Sequence, residues 1–147
     1  MINRRLLLMV IAFASPAAFS QSRDGKRRLD VLLVERPDDQ IRTTALLEGL
    51  TAFGWREGHN LHIDWRFTGG DPALYDRYAA ELAALAPEVI VTGGTPAVTA
   101  LRRQTTTIPI VFSTLADPVG QGFVESLARP GGHMTGFTDI YPPMTGK

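Results

Sequence analysis

The chain has 147 residues, with 15 basic and 15 acidic side chains and no cysteine. That balance provides no basic field to hold nucleic acid or an anionic membrane surface, and the lack of cysteine suits an oxidising compartment. The length is one domain's worth of chain, enough to bury a core.

The first segment reads as a secretory signal peptide, residues 1–20. Asn3, Arg4 and Arg5 form its basic start, residues 6–14 an uncharged apolar run, and Ala18 and Ser20 the small positions read by a signal peptidase. The run is too short to span about 30 Å of hydrocarbon. Cleavage is expected between Ser20 and Gln21, which places the mature chain in the periplasm. Residues 21–28 are expected to be a loose polar leader.

The first strand is expected over residues 29–34, mostly apolar but interrupted by Asp30. Its exit loop carries Glu35. A helix follows over residues 39–53, with Leu46, Leu47, Leu50 and Phe53 at helical spacing and Gly54 past its end. Leu61, Ile63, Trp65 and Phe67 alternate with His62, Asp64 and Arg66, the pattern of a half-exposed edge strand. Gly69, Gly70, Asp71 and Pro72 then make a turn, a cap and a first helical position. The second helix presents Leu74, Tyr78, Leu82 and Leu85 on one face.

The third strand starts at Val89 and runs into Gly93, Gly94, Thr95 and Pro96. Thr95 is expected to cap a third helix that reaches Gln104. A glycine turn into a helix start can hold a carboxylate. Residues 109–112 form a fourth strand, with Ser113, Thr114 and Asp117 in its exit loop. Asp117 and Pro118 are expected to start a short fourth helix through Ala128. A fifth strand covers residues 134–138. Residues 141–147 show no periodicity.

This βαβαβαβαβ order with short connections predicts a three-layer α/β fold around a parallel sheet. The edge character of the second strand favours the flavodoxin-like order 2-1-3-4-5. Helix starts at Asp71, Thr95 and Asp117 all fall at the carboxyl edge of the strands, where open α/β sheets bind ligands. Candidate ligand-binding residues are Glu35, Gly94, Thr95, Ser113, Thr114 and Asp117.

Three further runs carry a resemblance. The first is Gly49, Leu50, Phe53, Gly54 and Trp55, continuing through Glu57, Gly58, His59, Asn60 and Leu61 to Asp64, Trp65, Arg66 and Phe67. The second is Val91, Thr92, Gly93, Gly94, Thr95, Pro96 and Ala97. The third comprises residues 105–112, Asp117 to Gly120 as Asp-Pro-Val-Gly, and residues 127–136. Together they resemble the ABC transporter substrate-binding proteins of the tryptophan/tyrosine-binding-like kind, which have the type I periplasmic binding protein fold. The resemblance covers residues 29–140. It implies a clamshell that captures a small molecule, such as an aromatic amino acid, and delivers it to an ABC permease, with no cofactor. Only the first of two lobes is matched, so the sequence is expected to be truncated or a fragment. Residues 141–147 would lead towards the second lobe. The alternative is a non-binding remnant or an interaction domain that pairs, with itself or another chain, through its uncovered cleft face.

Other chemistries fit less well. A phosphoacceptor domain needs acids where the third strand ends in Thr92, Gly93 and Gly94. A hydrolase needs a Gly-x-Ser-x-Gly elbow, and a phosphate loop needs Gly-Lys-Ser/Thr. His59, His62 and His133 are scattered and read as solvated side chains rather than metal ligands. Trp55 and Trp65 are expected in the core.

The signal-peptide pattern generates a first prediction. Expressed in a Gram-negative host, the chain should be recovered from the periplasm with Gln21 as its first residue. N-terminal sequencing checks this, and an uncleaved cytoplasmic product would contradict it.

Overall fold

The computed structural model describes residues 25–138. The expected signal peptide and the tail at 141–147 lie outside them. The elements are β1 (Arg27–Leu33), α1 (Ile41–Ala52), β2 (Leu61–Phe67), α2 (Pro72–Ala84), β3 (Val89–Gly93), α3 (Thr95–Gln104), β4 (Ile110–Ser113) and β5 (Met134–Gly136). They form one five-stranded sheet of order β2-β1-β3-β4-β5, with every pairing parallel. The expected order 2-1-3-4-5 is therefore the observed one, with β2 at an edge.

Two apolar layers flank the sheet. Leu29, Val31 and Leu33 of β1 join Leu61 and Ile63 beneath α1. Leu32 faces the other way and joins Ile90, Ile110 and Phe112 beneath α2 and α3. A strand covered on both faces must be apolar on both, which is why β1 and β3 do not alternate cleanly. β1 begins at Arg27, inside the expected leader. The Arg27–Glu88 ion pair and an Arg28–Asp64 pair at 2.8 Å tie its start to the neighbouring strands.

α2 follows its sequence signals. Asp71 Oδ1 accepts from the Ala73 N–H at 2.9 Å, and Pro72 sits where no donor is needed. Its buried residues are Tyr75, Ala79 and Leu82, with Tyr78 and Leu85 packed at the margin. α3 buries Ala97, Val98, Ala100 and Leu101 and places Arg102 and Arg103 in its last turn.

α1 is less well covered. None of its residues is fully buried, and Phe53, expected at helical spacing with Leu46, Leu47 and Leu50, is 86% exposed. Among the described helices α1 alone covers its face of the sheet. Beside it opens a groove of about 360 Å³ lined by Leu46, Leu50, Trp55, Val89, Val91 and Val111. Trp55 thus lines a groove instead of filling the core. Trp65 is half-buried and stacks on Phe67 at 6.0 Å.

The expected fourth helix does not form. Residues 117–128 are a series of turns. Asp117 adopts φ 46° and its Oδ1 accepts from the Gly120 N–H at 2.9 Å, closing a local turn in place of a cap. Gly120 and Gly122 follow, and each glycine disfavours a helix by about 1 kcal/mol relative to alanine. Phe123 and Val124 nevertheless pack into the core.

Asp30 is the anomaly of the interior. It is fully buried on the α2 face, and neither carboxylate oxygen has a hydrogen-bond partner among the described residues. Its register partner on β2 is another acid, Asp64. Burial first, and the Asp64 charge second, push its pKa up from 3.8 to about 7, against the pull of Arg28 and Arg66. Asp64 itself is held by Arg28 and by His62 at 3.2 Å, while Arg66 pairs with Glu81 of α2 at 3.0 Å. The folded chain therefore retains a proton that the unfolded chain releases near pH 4. Stability should fall as pH rises from about 4 to 7, by roughly 2–4 kcal/mol in total. Asp30→Asn removes the titrating group and should flatten this dependence, leaving the variant the more stable form at pH 8. Urea unfolding at pH 5 and pH 8 measures it. Equal pH slopes for the two proteins would contradict it.

Candidate functional site

The carboxyl ends of β1, β3 and β4 lie side by side because the strands pair in parallel. Gly93 is the register partner of Ser113. Beyond them the chain turns through Gly94, whose N–H donates to the Ser113 carbonyl at 3.3 Å. Ser113 Oγ in turn donates to the Thr92 carbonyl at 3.4 Å. The two exit loops are thereby locked to each other.

Gly94, not Thr95, occupies the cap position of α3. Its φ is 81°, and no side chain caps the helix. The reason is geometric. The chain must reverse between β3 and α3 within one residue, which takes a left-handed conformation that a Cβ disfavours. Thr95 is then already helical and half-buried. Of the three expected Asp/Thr-Pro caps, only that at Asp71 exists.

Three polar atoms converge over Gly93. A Cβ added there would stand 3.2 Å from Arg42 Nη1, 3.3 Å from Ser113 Oγ and 3.3 Å from Thr114 Oγ1. Arg42 comes from the first turn of α1. Its Nε donates to Glu35 Oε1 at 2.7 Å and its Nη1 to Thr114 Oγ1 at 3.2 Å. The other Glu35 oxygen, Oε2, is buried without a partner among the described residues. Thr114 itself has φ 53°, a strained conformation for a β-branched residue of the kind found at functional sites.

Of the expected site residues, Glu35, Gly94, Ser113 and Thr114 are therefore brought together at one edge. Thr95 stands beside them. Asp117 turns its carboxylate into its own loop. Close to these exits Leu115 is fully buried, whereas Val119 and Phe137 are 42% and 76% exposed. Arg42 and Gly93 were missed by sequence reasoning. The signal for Arg42 was a cation in the first turn of a helix, where the macrodipole disfavours it. A broken local rule of that kind tends to mark a site.

This arrangement defines a class: one α/β lobe with convergent polar groups at the carboxyl edge of a parallel sheet. Residues 31–145 match the family of ABC transporter substrate binding proteins, and the chain belongs to that family. A tyrosine-binding protein of Clostridioides difficile is 29% identical over 119 residues, which are 79% of this chain and 34% of that protein. A conserved domain protein from Vibrio cholerae superposes with a TM-score of 0.73 at 36% identity, covering 80% of this chain and 40% of that one. An ABC domain from Streptococcus pneumoniae in complex with L-Trp gives 0.70 at 26% identity, covering 78% and 39%. The chain thus spans well under half the length of these relatives. It corresponds to a single lobe of a periplasmic binding protein. The family is one of substrate-binding proteins rather than enzymes, and no helix among the described residues is long and apolar enough to cross a membrane.

The cap geometry generates the next prediction. Gly94→Ala forces a Cβ into a left-handed turn and should lower stability by about 1–2 kcal/mol. Thr95→Val, which removes no cap, should cost clearly less. Denaturant unfolding of both variants decides, and the reverse ranking would restore Thr95 as the cap.

Proposed function

We propose that this chain supplies one face of an amino-acid site in the exported binding component of an ABC importer. The observation that carries the reading is the convergence of Arg42, Ser113 and Thr114 over Gly93, beside the buried, unpartnered Glu35 oxygen. Polar groups of both signs around a bare glycine suit a small zwitterion more than an apolar ligand or a phosphate. The tyrosine-binding and L-Trp-bound relatives support an α-amino acid, possessing an aromatic side chain, as the ligand. Glu35, Gly94, Thr95, Ser113 and Thr114 are the residues proposed to line the site. Asp117 acts indirectly, by shaping the loop that follows Thr114. Proposed partners are the ligand and an ABC permease, and the proposed location is the periplasm. No catalytic step is assigned.

A second reading rests on a different observation. The groove beside α1, with exposed Val119 and Phe137 elsewhere, offers apolar surface for association with another copy or another chain. An interaction domain would use such surface and need no ligand at the strand exits.

Binding strength separates the two. One lobe covers one side of a ligand, whereas full pockets enclose about 70–90% of it. The chain should therefore bind L-tryptophan or L-tyrosine only weakly, with a Kd of about 1 mM. Titration calorimetry with light scattering tests this. A ligand-independent oligomer that binds neither amino acid would favour the second reading.

A further inference from the structure

The two faces of the sheet carry different numbers of helices. Neighbouring strands stand about 4.8 Å apart and packed helices about 8–10 Å apart, so one helix covers about two strands. α2 and α3 lie side by side on one face, over Ile90, Ile110 and Phe112. On the other face, among the described helices, α1 stands alone over β1 and β2. A lane one helix wide is left over β3 and β4. Its floor is Val89, Val91 and Val111, all half-buried, in the same strands as the fully buried Ile90 and Ile110. Thr135, the register partner of Val111, is exposed and ends the apolar floor. Parallel strands are apolar on both faces when both are covered. The three valines have the sequence of a covered face without its cover.

α1 is also shaped for a neighbour on that side. Leu46 and Leu50 wall the groove of about 360 Å³. Gly49 and Phe53 follow Leu46 at helical spacing and fall on the same flank. A glycine inside a helix is unfavourable relative to alanine, yet a Cβ on Gly49 would meet nothing within 4 Å. Nothing among the described residues requires it. A bare position lets a second backbone come close. Phe53, one turn further, is 86% exposed. Together they offer a gap and a ridge to the side chains of an adjacent helix.

We propose that an amphipathic helix fills this lane beside α1, supplied by the length that the relatives have and this chain does not span. The matched stretch is 34% of the tyrosine-binding protein and 40% of the Vibrio cholerae protein. Both therefore have more chain outside the matched lobe than within it. Floor and wall are apolar, so the occupant needs one apolar face at helical spacing and a polar face towards water. Such a helix covers the three valines, Phe53 and Trp55, and gives this face the two-helix cover of the other. The seat is independent of what the strand exits bind. It also gives one occupant to the groove that the second reading leaves open to any chain.

The test is an NMR titration of the nitrogen-15-labelled chain with unlabelled synthetic peptides. The peptides are about 20 residues long, about 30 Å as helix. They overlap to cover the part of the Vibrio cholerae relative outside the superposed 40%. A peptide with apolar residues at helical spacing should shift the amides of Gly49, Val89, Val91 and Val111 and the Trp55 indole. Glu35 and Thr114 should not move. Gly49→Gln places a side chain in the lane where the chain alone has open space. Its thermal midpoint should equal or exceed the parent's, while peptide binding weakens about tenfold or more. Leu127→Ser, at an apolar side chain exposed elsewhere, should bind as the parent does. Binding by none of the peptides, shifts confined to the strand exits, or equal binding by the parent and Gly49→Gln overturns the proposal. So does movement of the same groove signals when the chain alone is concentrated, which makes a second copy the occupant. The amino-acid reading stands or falls separately, on the titration with L-tryptophan.

Discussion

The parallel register of β1 against β3, and of β3 against β4, is the constraint on which the rest depends. Leu32 opposite Thr92 and Gly93 opposite Ser113 bring three strand exits to one edge. Parallel pairing needs a crossover between every two strands, so each strand returns to the same edge and each helix starts there. The hydrogen bond from Thr92 Oγ1 to the Leu32 carbonyl, at 2.8 Å, satisfies a buried hydroxyl between the two central strands. Disturb that register and Glu35, Arg42, Gly93 and Thr114 no longer meet.

Coverage of the sheet is unequal, and its two faces behave differently in consequence. On one face α2 and α3 pack together over Leu32, Ile90, Ile110 and Phe112. On the other α1 lies over β1 and β2, leaving Val91 and Val111 bordering an apolar groove. The proposed site lies at the edge common to both faces. Its α1 side contributes the mobile-length side chain of Arg42, and its α3 side the rigid glycine turn. Asp30 adds an electrostatic weakness in the middle of β1, where two acids are register partners. The chain tolerates that weakness because its neighbours Arg28 and Arg66 are cationic.

Much of the fold was legible because periodicity and turn chemistry agreed. The β2 alternation from Leu61 to Phe67 identified an edge strand, and Asp71 with Pro72 marked the start of α2. Legibility failed where tertiary geometry overrode a local signal. Thr95 and Pro96 look like a cap and first turn, but the tight reversal after β3 gives the cap position to Gly94. Asp117 and Pro118 look the same, but Gly120 and Gly122 turn the segment into loops. Phe53 and Trp55 fit an apolar stripe in sequence, yet a single helix on that face cannot bury them. The strand exits pointed to Glu35, Gly94, Ser113 and Thr114 as candidates, and these four do lie together in the fold. The position of Arg42 was invisible because it depends on a contact with Thr114 seventy-two positions away.

The most direct measurement is a map of amide shifts in the nitrogen-15-labelled chain as L-tryptophan is added. A ligand at the strand exits predicts perturbations gathered at Glu35, Arg42, Gly93, Gly94 and Thr114, saturating together. Perturbations confined to Leu46, Leu50, Trp55, Val89 and Val111, with the strand exits unmoved, would place the ligand in the groove beside α1 and contradict the site described above.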